Sequence, residues 1–190
     1  GLFDKLFGRK KNDTEGQVVL QNQIKENISK NATNTFQTDK RGFVSANKIK
    51  IDNYALKALK QRYIAFDVET TGLNPYNDRI IEFGAVLFEN GIPVKRYGTL
   101  VNAMVDIPSA ASEVNHITNQ MIKDAPAEKE AYTNLIDFLG DALQEKTVIC
   151  AHNAKFDMDF LSEALMRLGY NANIYYVDTL SLSRKLVKGL

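Results

Sequence analysis

The stretch IAFDVETTGLN, Ile64 to Asn74, decides the fold and poses the functional question. Tyr63-Ile64-Ala65-Phe66 is a short β-branched and aromatic run, which predicts a strand in a sheet interior. Residues i and i+2 of a strand point to the same face. Asp67 and Glu69 therefore stand side by side where the strand ends and the chain breaks into Thr-Thr-Gly. Two carboxylates that close repel unless a proton or a cation lies between them.

Working outward, the text around this strand is that of an ordinary globular chain. It has 190 residues, 44% hydrophobic and 25% charged, enough for one core. Cys150 is the sole cysteine, which excludes an intramolecular disulfide and fits a reducing, cytoplasmic compartment. No segment approaches the roughly 20 apolar residues of a membrane span, and no signal-peptide pattern is visible. The net charge of +1 conceals an asymmetry: residues 1–60 hold 12 Lys+Arg against 6 Asp+Glu, whereas residues 61–190 hold 12 against 17. A domain boundary near residues 50–60 follows.

Residues 1–11 (GLFDKLFGRKK) place Leu2, Phe3, Leu6 and Phe7 on one helical face with basic residues elsewhere. This reads as a short amphipathic segment that docks loosely or contacts a membrane surface or a partner. The Asn-, Gln- and Lys-rich residues 12–50 read as a flexible polar linker. The domain proper is expected over residues 51–190. It opens with a short helix at 53–61, followed by strands at Tyr63–Val68, Arg79–Phe88 and Ile92–Val101, the last two joined by the hairpin turn Glu89-Asn90-Gly91. A helix at Ala125–Leu143, a buried strand at Thr147–Ala151 and a helix at Ala154–Leu168 stopped by Gly169 come next. A strand at Ile174–Val177 and a helix from Thr179 complete an α/β arrangement, a mixed five-stranded sheet covered by helices.

A second acidic site lies in AHNAKFDMDFL, residues 151–161, where Asp157 falls in the first turns of a helix that follows a buried strand. If that strand neighbours the one at Tyr63, Asp157 approaches Asp67 and Glu69 over the sheet edge. Asp159 sits about 200° round the helix and points elsewhere. Three converging carboxylates need metal, and oxygen ligands favour two hard ions, Mg²⁺ or Mn²⁺, shared with phosphate oxygens. Gly72 lets the backbone turn toward a ligand, and the hydroxyls and amides of Thr70 and Thr71 are candidates to bond a nucleotide.

FDVETTGL (66–73), NHIT (115–118), AHNAKFDMDFL and VDTLSLSRKL (177–186) resemble, in that order and spacing, the DEDDh or DnaQ-like 3′–5′ exonucleases, among them the proofreading exonuclease of bacterial DNA polymerase III. The resemblance runs from about residue 60 onward and implies a ribonuclease-H-like fold. It further implies two-metal hydrolysis of DNA from a 3′ end to nucleoside monophosphates, in proofreading or repair. The implied metal ligands and catalytic residues are Asp67, Glu69 and Asp157. Those set beside the nucleotide are Thr70, Thr71, Leu73 as a wedge against the terminal base or else packed beneath the loop, His116 as a substrate contact or else plain loop packing, and Asn153. The expected partner is a single-stranded or frayed 3′ end of DNA, with a DNA polymerase as a protein partner. RNA stays open as a substrate, although Thr70 after Glu69 leans toward DNA, and so does a non-catalytic nucleic-acid-binding or polymerase-associated module. The family's third motif, a histidine base followed five residues later by a fourth metal-binding aspartate, is not found after Asp178. The expected form is therefore a C-terminally truncated, low-activity domain.

For several residues a bland reading stands beside the functional one. Asn153 caps the helix of Asp157 or touches the nucleotide. His152 flanks the second motif rather than acting as the base. Phe156 and Phe160 read as core, Cys150 as an inert apolar residue, and Tyr175 and Tyr176 as either base-stacking or structural. The acidic domain would attract DNA through its metals, with the basic tail adding a salt-sensitive contribution or none.

Overall fold

A computed structural model describes residues 40–187. The amphipathic reading of residues 1–11, and that of the linker over 12–39, lie outside the described residues. The strands are β1 (Val44–Lys48), β2 (Arg62–Thr70), β3 (Ile80–Glu89), β4 (Ile92–Leu100), β5 (Val148–Ala151) and β6 (Ala172–Asp178). The helices are α1 (Asn53–Gln61), α2 (Ser109–Asn115), α3 (Asn119–Ile122), α4 (Glu128–Leu139), α5 (Ala154–Arg167) and α6 (Thr179–Val187), with a 3₁₀ turn at Gly140–Leu143.

One six-stranded mixed sheet has the order β1-β6-β5-β2-β3-β4. In the antiparallel meander β2-β3-β4 the β3–β4 hairpin follows from the turn at Asn90 and Gly91, both with positive φ (51° and 78°), the backbone that an Asn-Gly hairpin adopts. The parallel pairs β2–β5 and β5–β6 need crossovers, and α5 supplies the second. The helix expected over residues 125–143 is shorter because Gly140, at φ 51°, breaks it into α4 and the 3₁₀ turn.

The sheet corrects two expectations. It has six strands rather than five, and residues 44–48 pair parallel with Ala172–Tyr176 of β6 instead of belonging to a linker that runs to residue 50. VSANK carries only a two-residue apolar alternation, Val44 and Ala46, which pack against the main core, too short within a polar stretch to announce a strand. Its hold is the backbone ladder plus flanking ties: Gly42 N–H to the Met166 carbonyl (2.8 Å), Phe43 N–H to Asn171 Oδ1 (2.7 Å), and an Arg41–Glu163 ion pair. Gly42 is required there, since a Cβ would stand 2.1 Å from the Tyr170 carbonyl oxygen.

Along β2 the even-numbered Ile64, Phe66, Val68 and Thr70 are buried and the odd-numbered residues half-buried, so the sheet is covered on both faces. The main core joins Ile64, Phe66 and Val68 to Tyr132, Leu135 and Leu139 of α4 and to Met158, Leu161 and Leu165 of α5. Phe83 meets Tyr97 and Tyr132 in tilted ring contacts at 5.8 and 5.7 Å. A smaller core of Ile81, Ala103, Ile107, Ile117 and Ile122 packs the segment 100–125 onto β3.

Candidate metal and nucleotide site

The strand β5 pairs with β2 only from Tyr63↔Val148 to Ala65↔Cys150, so the last residues of β2 run beyond their parallel neighbour. A carboxylate takes the place of the missing strand: Asp157 Oδ1 accepts the Val68 N–H at 3.1 Å. Val68 lies between Asp67 and Glu69, so the fold stitches the third acidic side chain onto the backbone between the other two. Asp157 is only 3% exposed. Burial first, then the Asp67 charge, raise its carboxyl from 3.8 to about 8; backbone hydrogen bonds oppose this, and Glu69 adds to it.

The sequence reading missed a fourth carboxylate. Glu82 of β3 is the cross-strand partner of Glu69 and shares its face, and like charges so placed repel. The signal was present in the alternation of IIEFGAV. Beside Asp67 the same row continues through Gly84 of β3 to Gly98 of β4, so these two neighbours in the row contribute no side chain there. The register of β2 shifts between Glu69 and Thr70, an irregularity of the kind that re-aims side chains next to active sites.

Among the described residues, no three His, Cys, Asp or Glu side chains form a ready-made metal cage. What the fold assembles is convergent negative charge with oxygen donors alone. The raised pKa of Asp157 reflects first its burial and then the Asp67 charge beside it. This donor set suits a hard divalent cation whose remaining positions go to water and phosphate.

The loop after β2 is organised by Asp78. Its Oδ2 accepts the Asn74 N–H at 2.9 Å and its Oδ1 faces the Thr71 hydroxyl at 3.4 Å. A Cβ on Gly72 would lie 2.4 Å from Asp78 Oδ2, so glycine here makes room for the carboxylate. Thr70 and Thr71 are both buried, with hydroxyls bonded inside the loop: Thr70 donates to the Gly72 carbonyl (2.6 Å) and Thr71 accepts the Arg79 N–H (3.0 Å). In this arrangement both hydroxyls brace the loop. Leu73 is the opposite, 85% exposed at the loop's crest. It does not pack beneath the loop.

NHIT docks onto this loop through its asparagine. The buried Asn115 donates to the Thr70 carbonyl (3.1 Å) and accepts the Ile117 N–H (3.0 Å). This leaves His116 exposed in a left-handed conformation (φ 62°), ending α2. Asn153 is likewise left-handed and exposed, and its side chain does not cap α5. Its N–H instead donates to Asp178 Oδ1 at 3.2 Å. His152 and Asp157 have the His-x-x-x-x-Asp spacing, but Asp157 is the residue that the resemblance matches to the second motif. His152 Nδ1 lies 3.3 Å from the Thr179 hydroxyl on an exposed turn. Phe160 is core and Phe156 packs against it at 4.9 Å; Tyr176 is core, and burial pushes the Cys150 thiol up to about 12.

A groove of about 500 Å³ runs between Leu73–Tyr76 and the Lys155, Asp159, Ser162 and Met166 side of α5. Asp157 points about 200° away from that side, so the groove flanks the carboxylates without containing them.

Residues 64–190 match the model of the RNase T family, described as Exonuclease. The chain is 38% identical over 133 residues to a PolC-type DNA polymerase III of Caldanaerobacter subterraneus subsp. tengcongensis. It is 35% identical over 134 residues to one of Clostridium perfringens. Each alignment takes in 70% of this chain but 9% of the relative, so the chain spans about a tenth of the length of these curated relatives. Among solved structures, E. coli exonuclease I in complex with a dT13 oligonucleotide superposes with a TM-score of 0.60 at 18% identity, over 67% of this chain and 30% of that one. The apo form of exonuclease I gives 0.59 at 18%, over 67% and 31%. These likenesses carry the fold, a ribonuclease-H-like sheet with flanking helices.

Proposed function

The chain belongs to the RNase T exonuclease family, and from that premise we propose that it hydrolyses DNA stepwise from a 3′ end, releasing nucleoside monophosphates. The observation that carries the reading is Asp157, buried and hydrogen-bonded to the Val68 N–H between Asp67 and Glu69. Asp67, Glu69 and Asp157 would hold two divalent cations, Mg²⁺ or Mn²⁺. When bound, such ions supply Lewis acidity and a water of lowered pKa, and so stabilise attacking and leaving oxygens.

The chain's own residues do the positioning. The Val68 N–H holds the Asp157 carboxylate in place. Asp78 sets the loop whose crest presents Leu73 to the terminal base, and Asn115 fixes His116 and that loop relative to one another. His116 and Asn153 would border the nucleotide from exposed, left-handed backbone positions. Thr70 and Thr71 act through the loop they brace. DNA is favoured over RNA by Thr70 after Glu69, and by the PolC-type and single-stranded-DNA-bound proteins that the chain resembles. A DNA polymerase as partner and a cytoplasmic setting belong to the same proposal. Among the described residues no helix is long and apolar enough to cross a membrane.

The test is calorimetric Mn²⁺ titration alongside degradation of 3′-labelled single-stranded DNA and a matched RNA, with Asp67→Ala as control. Metal uptake with stepwise 3′ cleavage of DNA, both lost in Asp67→Ala, is expected. Preferential cleavage of RNA would reassign the substrate. Metal binding without cleavage would make this polypeptide a binding module, and neither activity would remove the site assignment.

A further inference from the structure

The strand β1 lies outside residues 64–190, yet its last residue reaches the aspartate that bonds the turn launching the helix of Asp157. Lys48 Nζ donates to Asp178 Oδ2 at 2.9 Å and contacts Ser181 Oγ at 3.0 Å. Ser181 itself donates to Asp178 Oδ2 at 2.6 Å. The other oxygen of Asp178 faces the opposite way and accepts the Asn153 N–H (3.2 Å) and the Leu180 N–H (3.1 Å). Asn153 is the left-handed residue from which α5 starts, at φ 62° and ψ 44°, with no cap from its own side chain. Asparagine adopts this conformation more readily than other residues with a Cβ, and tertiary contacts hold it in place. Here the hold comes from Asp178, and Asp178 in turn is held by Lys48.

We propose that Lys48 is a positioning residue for the carboxylate site: through Asp178 it fixes the turn at Asn153 from which α5 carries Asp157 to the Val68 amide. The proposal rests on the functional reading above. The chain of contacts is short, since Asp157 lies one helical turn beyond Asn153. A surface ion pair of ordinary kind would contribute little, but this one is unequal. Lys48 is 47% exposed whereas Asp178 is 13% exposed, and the carboxylate is already committed to two backbone amides and a hydroxyl. Burial alone would raise the Asp178 carboxyl, yet the hydrogen bonds from Ser181 and Lys48 and the Lys48 charge outweigh it and hold the group below the usual carboxylate range. Without the ammonium, a largely buried carboxylate loses its counter-charge and one of the contacts that fix its orientation, so its other oxygen is no longer held on the Asn153 N–H. Groups that orient metal ligands in this indirect way typically change metal affinity or activity by about 10–100-fold.

The experiment compares Lys48→Met and Lys48→Arg with the unmodified full chain by amide hydrogen exchange and Mn²⁺ calorimetry. In Lys48→Met, exchange in the peptide spanning His152–Met158 accelerates about tenfold while peptides from β2 to β4 keep their protection. Mn²⁺ affinity falls about tenfold, and Lys48→Arg retains both properties. Unchanged exchange at 152–158 in Lys48→Met overturns the positioning role, as does faster exchange with unaltered Mn²⁺ affinity. Loss of protection throughout the sheet overturns it too, because Lys48 would then serve general stability. An unmodified chain that takes up no Mn²⁺ overturns the functional reading itself, and with it the site that Lys48 is proposed to serve.

Discussion

At Asp157 one carboxyl group is asked to be buried, to accept a backbone N–H and to face two other carboxylates. Its pKa of about 8 expresses that conflict. Asp157→Asn keeps an acceptor for the Val68 N–H and removes the charge. The metal-free variant is therefore expected to be more stable than the parent at pH 8, by about 1–3 kcal/mol, while losing Mn²⁺ binding; urea unfolding and calorimetry check the two halves. Tyr132 presents a different conflict. It is fully buried among Phe83 and the α4 core, its hydroxyl has no hydrogen-bond partner among the described residues, and burial drives its pKa upward. Phenylalanine removes an unsatisfied polar atom without opening a cavity. Tyr132→Phe should be neutral or stabilising by up to about 1 kcal/mol, read from the unfolding midpoint.

At the scale of elements, the loop between β2 and β3 behaves as a unit assembled around one side chain. Asp78 bonds backbone and hydroxyl groups of residues 71–74, and Gly72 is the vacancy into which its carboxylate fits. Gly72→Ala should cost about 1–3 kcal/mol through that collision. Asp78→Ala alone removes the loop's organiser. In the double variant the two losses should sum to less than their separate values, since the second change removes the atom that the first one strikes. Strictly additive losses would mean that the clash is relieved some other way. The sequence reading used Gly72 for turning toward a ligand, and Asp78 had no place in it. Their partnership spans the loop and leaves no periodic trace.

For the molecule as a whole, pH and metal are linked through the acidic face. In the folded, metal-free state Asp157 holds its proton up to about pH 8, whereas the unfolded chain releases it near the ordinary 3.8. Between those values the folded state binds more protons, so stability falls as pH rises through the window and is fully retained below it. Asp178, shifted the other way, contributes above the ordinary carboxylate range and loses its share only in stronger acid. Urea unfolding from pH 5 to 8.5 should therefore show a decline on the order of 3 kcal/mol without metal. Saturating Mn²⁺ should flatten or reverse it, because a cation stabilises the ionised form. A metal-free curve that rises over this range would contradict the burial of Asp157.

What the sequence determined by itself was local and periodic. The apolar run before Asp67 implied an interior strand, the period of two put Asp67 and Glu69 on one face, and Asn90-Gly91 implied the hairpin. The strand-turn-helix pattern around Asp157 placed a third carboxylate within reach, because backbone geometry repeats over a few residues and side-chain direction follows from it. The tertiary structure alone decided what depends on distant pairing. Residues 44–48 become a strand only because β6 offers an unpaired edge. Thr70 and Thr71 turn inward because Asp78, Arg79 and Asn115 come to meet their loop. Glu82 joins the acidic face through its register against Glu69. Asp178 becomes an anchor because Lys48, Ser181 and Asn153 converge on it from three elements of the chain. Each of these is a contact between residues far apart in sequence, and their meeting is set by the packing of the folded whole.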